Sequence, residues 1–245
     1  MGSKARYAKE ILPIILKNRK PEQWYIEPFA GGMNMIDKVD GNRIANDLSE
    51  PLIAMWKALV YDNWQPPHRI TKDDYNKIRK QKTNYKPELI GWVGFCCSYS
   101  GKYFGGWAND YFDKGKNYKI NKERTVLRNY QQEAINSTAK QIPKLKGVEF
   151  TNKNYWEIEI PKDSVIYCDP PYQNTTKYAT DFDHNLFWEW CRELSKQGHS
   201  VWVSEYNAPS DFKCVWEKKT TSQLSTNGKI GGSKISTEKL FLYCG

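Results

Sequence analysis

The run Val165-Ile166-Tyr167-Cys168 is apolar throughout and is followed at once by Asp169-Pro170-Pro171-Tyr172. Two consecutive prolines offer no N–H to a ladder of backbone hydrogen bonds, so a strand over Val165–Cys168 has to stop at Asp169. An acid and an aromatic are then presented on a stiff turn at a strand's carboxyl end. Open α/β sheets bind their ligands at that end.

The rest of the chain supplies such a sheet. "EQWYIEPFAGG" reads as a short strand running into glycines, and "RIANDLSE" as a second strand ending in an acid. Between them, "NMIDKV" suits the start of a helix or a further strand. "PLIAMWKALVYD" has helical spacing, with Pro51 acceptable in a first turn. Residues 6–19 are dense enough in apolar side chains for a helix with Pro13 as a kink. Later, "VEFTNKNYWEI" reads as strand and turn, "HNLFWEWCRELSKQG" as an amphipathic helix and "HSVWVSEYN" as a strand. "FKCVWEK" and "EKLFLYC" bracket a Ser/Thr/Gly/Lys-rich stretch, expected as a mobile loop between Lys218 and Glu238 within a closing hairpin. The expected fold is α/β: a doubly wound, mostly parallel Rossmann-like sheet closed by an antiparallel hairpin.

The order β-loop-α-β is interrupted after Tyr61, where the chain turns rich in Lys, Tyr, Asn and Gly. Of the 245 residues, 39% are hydrophobic and the formal net charge is +9. Residues 61–147 carry 17 Lys+Arg against 8 Asp+Glu, and the remainder holds 20 of each, so this segment accounts for the whole imbalance. It reads as a mainly helical insert with long loops. Such a charge surplus is either a solvated surface or a footprint for polyanions. No apolar run is long enough to span a bilayer, and no charged-then-apolar leader opens the sequence. Six cysteines without C-x-x-C spacing and only three histidines argue for reduced, packing thiols in a cytoplasmic protein and against a metal site.

Two further stretches carry chemistry. Glu27-Pro28-Phe29-Ala30-Gly31-Gly32 follows the first strand, and its glycines let backbone approach a ligand closely. Asp47 ends the second strand, where an acid accepts hydrogen bonds from ribose hydroxyls. With no G-x-G-x-x-G and no phosphate-loop lysine, a nucleoside without a pyrophosphate fits better than a dinucleotide. S-adenosylmethionine is such a nucleoside.

Taken together, Gly2-Ser3-Lys4, "EPFAGG", Asp47 and "DPPY" resemble the N6-adenine DNA methyltransferases of the Dam type, over almost the full chain. The motif order, cofactor loop first and catalytic tetrapeptide after a long insert, is similar to the α group of that family. At one point the likeness departs: the family carries an aromatic residue just before its glycine-lysine motif, where this sequence has Met1. The resemblance implies a catalytic domain over 1–60 and 148–245 and an inserted target-recognition domain over 61–147. It implies Asp169, Pro170, Pro171 and Tyr172 as the catalytic turn. Lys4, Glu27, Phe29, Gly31, Gly32 and Asp47 would serve the cofactor, with Lys4 also near Asp169, and Phe150 and Asn152 would flank its adenine. Lys77, Lys80, Lys82, Lys102, Lys116 and Arg124 are the candidate phosphate contacts. Ser98 opens the segment to Trp107 in which sequence choice is expected.

These residue types suit the chemistry. The lone pair of an adenine amine is delocalised into the ring, so the amine is a poor nucleophile. A carboxylate at Asp169 and the carbonyl of Pro170 accepting its two protons would draw the nitrogen toward tetrahedral and free the lone pair. Tyr172 offers a ring on which an extruded base can stack. The implied partner is double-stranded DNA. No segment resembles a nuclease, so a stand-alone monomer is expected, either an orphan or the partner of a separately encoded restriction endonuclease, in a bacterial or phage-infected cytoplasm. Three other readings stay open: an RNA adenine enzyme, an N4-cytosine DNA enzyme, and a non-catalytic nucleic-acid-binding module on the same fold.

Overall fold

A computed structural model describes residues 4–108, 118–119, 125–126, 129–173, 182–222 and 234–245. Its main sheet is built from β1 (Tyr25–Glu27), β2 (Arg43–Asn46), β5 (Val148–Thr151), β6 (Val165–Cys168), β7 (Ser200–Glu205), β8 (Phe212–Ser222) and β9 (Lys234–Tyr243). The strand order is β5-β2-β1-β6-β7-β9-β8. The first five are parallel, and β9 joins β7 antiparallel with β8 outside it. From β1 the chain builds outward through β2 to β5, then returns to β6 and builds the other way. The reversal lies between β1 and β6, where the connecting segments diverge and leave a crevice at the strands' carboxyl ends.

Side chains alternate across the sheet and feed two cores. Tyr25, Ala45, Tyr167, Trp202 and Leu240 face one cluster, together with α1 (Ala8–Ile15) and α2 (Glu50–Val60). Ile26, Ile44, Ile166, Val201, Val203 and Phe241 face the other, under α6 (His184–Lys196). Every residue of β1, β2 and β6 is buried, which explains the unbroken apolar run of β6; Glu27, Arg43 and Asn46 are the buried polar members of the other two. The N-cap of α6 is Asp183, whose carboxylate accepts the Asn185 and Leu186 amides. Among the described residues no helix is long and apolar enough to cross a membrane.

Within 61–147 the described elements are α3 (Lys72–Lys80), α4 (Pro87–Gly91) running into a π-helical turn over Trp92–Cys96, the short pair β3 (Tyr118–Lys119) and β4 (Thr125–Val126), and α5 (Tyr130–Leu145). Ile70, Tyr75, Ile78, Ile90, Trp92 and Val93 join the same buried cluster as α1 and α2. The segment is therefore packed into the sheet's own core. The last of these helices, α5, is also tied to the framework. The Arg43 guanidinium donates to the carbonyls of Lys144 and Lys146, each at 2.8 Å. Gln141 Nε2 donates to the Gly32 carbonyl at 3.2 Å.

Two expectations change. "NMIDKV" forms neither a strand nor a long helix: it is a 3-10 turn over Ile36–Lys38, entered through Met33 at φ 57. The two ends of the loop expected between Lys218 and Glu238 are strand, because β8 and β9 pair as far as Ser222 and Lys234; residues 223–233 lie outside the described residues. Thr220 and Thr237, which pair with Ser236 and Lys219, suit a pleated ladder, and backbone pairing needs no apolar side chain.

Gly91 of α4 packs closely against α2. A Cβ there would stand 2.0 Å from the Pro51 carbonyl oxygen. Gly91→Ala is expected to destabilise the fold by about 3 kcal/mol, the upper range for overpacking a backbone contact. Urea unfolding measures it, and a loss below about 1 kcal/mol would mean that α4 slides freely over α2.

Candidate active site

Acids stand at, or one residue beyond, the carboxyl ends of four adjacent parallel strands: Asp47 after β2, Glu27 on β1, Asp169 after β6 and Glu205 on β7. Register brings them together, since Ile26 pairs with Ile166 and Cys168 with Val203. The prolines release Asp169 from the ladder at that edge.

The glycine loop is clamped from β2. Ala30 N–H donates to the Asn46 carbonyl at 2.8 Å, and Gly31 N–H to Asp47 Oδ2 at 3.0 Å. Asp47 Oδ1 accepts the Ser49 amide at 2.9 Å, while Asn152 Nδ2 donates to the Asp47 carbonyl at 2.8 Å. Gly31 adopts φ +48, and nothing lies within 4 Å of where its Cβ would be, so the loop turns an open backbone face to the crevice. Burial raises the Asp47 carboxyl above its ordinary range, against the Ser49 and Gly31 amides. Each oxygen keeps a lone pair for a ligand hydroxyl.

At the other side of the crevice stands Lys4, in a 3-10 turn over Lys4–Arg6 that leads into α1. Its ammonium lies 3.4 Å from Asp169 Oδ1 and 2.6 Å from Glu238 Oε2, and it donates to the Tyr172 hydroxyl. That hydroxyl donates to Glu238 Oε2 at 3.1 Å, and Lys4 Nζ sits 4.5 Å from the centre of the Tyr172 ring. Burial alone would pull Lys4 down, but Asp169 and Glu238 outweigh it and hold the ammonium above its ordinary value. Burial raises Asp169, with Lys4 opposing and Glu238 adding to the rise. The Asp169 side chain remains 26% exposed, so it is reachable from the crevice. Beside it, Glu205 accepts the Gln173 and Tyr206 amides, and Tyr206 meets Tyr172 edge-on at 4.7 Å.

Of the residues expected at the site, Lys4, Glu27, Gly31, Gly32, Asp47, Asn152 and the Asp169–Tyr172 turn line or border this crevice. Three of the expected residues take part in packing. Phe29, partly buried, stands beside Tyr155, Phe182 and Phe187 at 5.3–5.8 Å, against the second core. Phe150 is only 6% exposed and meets Tyr61 edge-on, because its alternating position in β5 points into the first core. Ser98 is buried, its hydroxyl bonded to Tyr75 and to the Val93 carbonyl, so it holds the insert together and presents nothing to a base. Lys77, Lys80, Lys82 and Lys102 are exposed. Lys82 rests 5.0 Å and 5.2 Å above the Tyr103 and Phe104 rings. Gly2, Ser3, Lys116 and Arg124 lie outside the described residues.

Sequence reasoning passed over Asn46, Glu205 and Glu238. Asn46 Nδ2 donates to the carbonyls of Pro28 and Lys153, and its Oδ1 accepts from Thr151, joining three strand ends. An acid one residue past a strand is a visible signal, and Glu205 carried a weak form of it. Glu238 carried none.

Residues 1–227 match the family model described as "D12 class N6 adenine-specific DNA methyltransferase". Among solved structures, the chain is similar to a "putative methyltransferase yhhF from Escherichia coli", with 11% identity and a TM-score of 0.36, over 97% of this chain and 84% of that one. It is also similar to "SMU.472, a putative methyltransferase complexed with SAH", with 11% identity and a TM-score of 0.39, over 99% of this chain and 52% of that one. The family match carries the assignment; the two structural likenesses add no weight to it.

Burial holds the Glu27 carboxyl well above the ordinary glutamate range, against a hydrogen bond from the Tyr25 hydroxyl at 3.0 Å. A carboxyl raised in the folded state contributes stability below its unfolded value and loses it as pH rises through the folded one. Glu27→Gln keeps the shape and removes the titration. Relative to wild type, the variant is expected to gain stability steadily as pH rises above the ordinary glutamate range. Urea unfolding across a pH series checks this, and a pH-independent difference would contradict it.

Proposed function

We propose that this chain, which belongs to the D12 class N6 adenine-specific DNA methyltransferase family, methylates the N6 amine of an adenine that has left the duplex, with S-adenosylmethionine as donor. The observation that carries the reading is Asp169 at the switch point, released by two prolines and set between Lys4 and the clamped glycine loop.

The residues present fit the donor. An open glycine backbone, with no atom where a Cβ would stand, suits the close approach of an amino-acid moiety. Asp47, fixed through both oxygens yet with lone pairs left, suits ribose hydroxyls. S-adenosylmethionine bound there supplies a methyl group on a sulfonium, whose transfer leaves the electron pair on sulfur and a proton for the nitrogen to shed. The chain's own part is positional and electrostatic. Asp169 and the Pro170 carbonyl accept the two amine protons and free the lone pair. Pro171 stiffens the turn, and Tyr172 stacks on the base with its orientation fixed through its hydroxyl. Asp169 has to be ionised to accept, and Lys4 favours that form.

Incubation of the protein with labelled donor and duplex DNA, followed by nucleoside mass spectrometry, is the direct test. N6-methyladenine is expected; N4-methylcytosine, or label in RNA alone, would replace the reading. Asp169→Ala is expected to abolish transfer while leaving cofactor affinity within about tenfold. Asp47→Ala should weaken cofactor binding most, since it removes the ribose acceptor and unclamps Gly31.

The DNA surface is expected on the basic face of the insert. Lys77 and Lys80, three residues apart, are exposed neighbours on α3. Counterion release makes log affinity fall with log salt by roughly 0.9 per phosphate neutralised. With about four to seven such contacts, Lys77→Ala/Lys80→Ala is expected to flatten the slope by about two and to weaken cognate and scrambled duplexes alike. Adding Lys82→Ala also unpins the Tyr103 and Phe104 rings, so sequence choice should change only at that step. A binding series in salt measures both, and an unchanged slope in the double variant moves the DNA surface elsewhere.

A further inference from the structure

Glu238 reaches the crevice because the hairpin is longer than the sheet it closes. The last residue of β7, Glu205, pairs with Lys239, whereas β9 begins at Lys234. Residues ahead of Lys239 therefore run past the carboxyl edge with β8 as their strand partner, Glu238 opposite Lys218. Glu238 shares a sheet face with Leu240, which belongs to the core under α1, and this is the side from which Lys4 approaches.

We propose that Glu238 is a positioning residue for methyl transfer: it holds Lys4 back from Asp169 and so keeps that carboxylate loosely engaged and available to the target amine. The inference deepens the reading given under Proposed function and rests on it. The ammonium lies 2.6 Å from Glu238 and 3.4 Å from Asp169, so its short contact is to Glu238 and its long one to Asp169. An ammonium has three protons, and Glu238 and the Tyr172 oxygen engage two of them. Without the Glu238 charge, the balance shifts toward Asp169, and Lys4 closes to the roughly 2.8 Å of an ordinary charged hydrogen bond. A carboxylate bonded in that way is a weaker acceptor for the amine. The same carboxylate of Glu238 accepts the Tyr172 hydroxyl, so it also fixes the ring on which the base would stack.

Asp169 is faced by Lys4 from the N-terminal turn, Glu27 from β1, Tyr167 from β6, Tyr172 from its own turn, Glu205 from β7 and Glu238 from β9. Among these, Glu238 pushes Asp169 up and Lys4 pulls it down. Removing the Glu238 charge strengthens the second influence and deletes the first. The acidic limb of the rate, which reports Asp169 ionisation, then moves to lower pH.

The test is single-turnover methylation of duplex DNA across a pH series, for wild type, Glu238→Gln and Glu238→Asp, with cofactor affinity measured by calorimetry. For Glu238→Gln the neutral-pH rate is expected to fall about 10- to 100-fold and the acidic limb to shift to lower pH, with cofactor affinity within about threefold. Glu238→Asp keeps the charge on a shorter arm, so it should recover part of the rate with the limb where wild type has it. An active wild type with rate and limb unchanged in Glu238→Gln overturns the inference alone. Loss of cofactor binding in place of rate overturns it too, because Glu238 would then serve the cofactor. If Glu238→Gln does not fold, Glu238→Asp decides: a wild-type rate overturns the inference and a reduced rate supports it. A wild type that transfers no methyl group overturns the functional reading and the inference with it.

Discussion

Gathering carboxylates at one sheet edge is the constraint on which the site depends. Glu27, Asp169 and Glu205 come from three adjacent strand ends, and Glu238 hangs over them from the hairpin. Charged together in a partly buried crevice they would repel each other and lose hydration. The fold answers in three ways. Glu27 is held toward its neutral form by burial, Glu205 is bonded by two backbone amides, and Lys4 is placed between Asp169 and Glu238. The last of these sets a cation against a carboxylate whose side chain is still 26% exposed. Asp169 is thereby reachable by a ligand, and the N-terminal turn belongs to its immediate surroundings.

The glycine loop obeys a parallel logic. Its φ +48 at Gly31 and the bonds from Asn46 and Asp47 fix the backbone before any ligand arrives. Asn46 is fully buried and joins the ends of β1, β2 and β5, so the loop's position follows from the sheet's register. Preorganisation of this kind lowers the ordering cost of binding.

The insert is continuous with the same core. Immediately beyond Asp47, α2 begins; it meets α4 across the close Gly91 contact, and α4 leads through the π-helical turn into the segment from Ser98 to Trp107. Ser100 and Phe104 both have positive φ, and Ser98 and Trp107 close the turn as an isolated bridge. The residues proposed to meet DNA are thereby held by the same packed cluster as the strands that carry the acids.

Much of this was legible because it is local. A pair of prolines ends a strand wherever that strand lies, an all-apolar tetrapeptide marks a doubly covered strand, and glycines after a strand mark a tight loop. The order of these signals, together with acids at two strand ends, was enough for the doubly wound sheet and for the place of Asp169 just past the end of β6. What tertiary structure alone decided depends on register and facing. The packing of Phe29 and Phe150 turned on side-chain direction and on neighbours contributed by distant elements: Phe150 is buried in the first core and Phe29 is partly buried against the second. Ser98 was polar in sequence and is satisfied inside the insert. Glu238 looked like one more charge in a polar stretch, 69 residues after Asp169. Its place beside Lys4 comes from the antiparallel pairing that carries β9 past the end of β7, a long-range contact that leaves no periodicity in the residues around it.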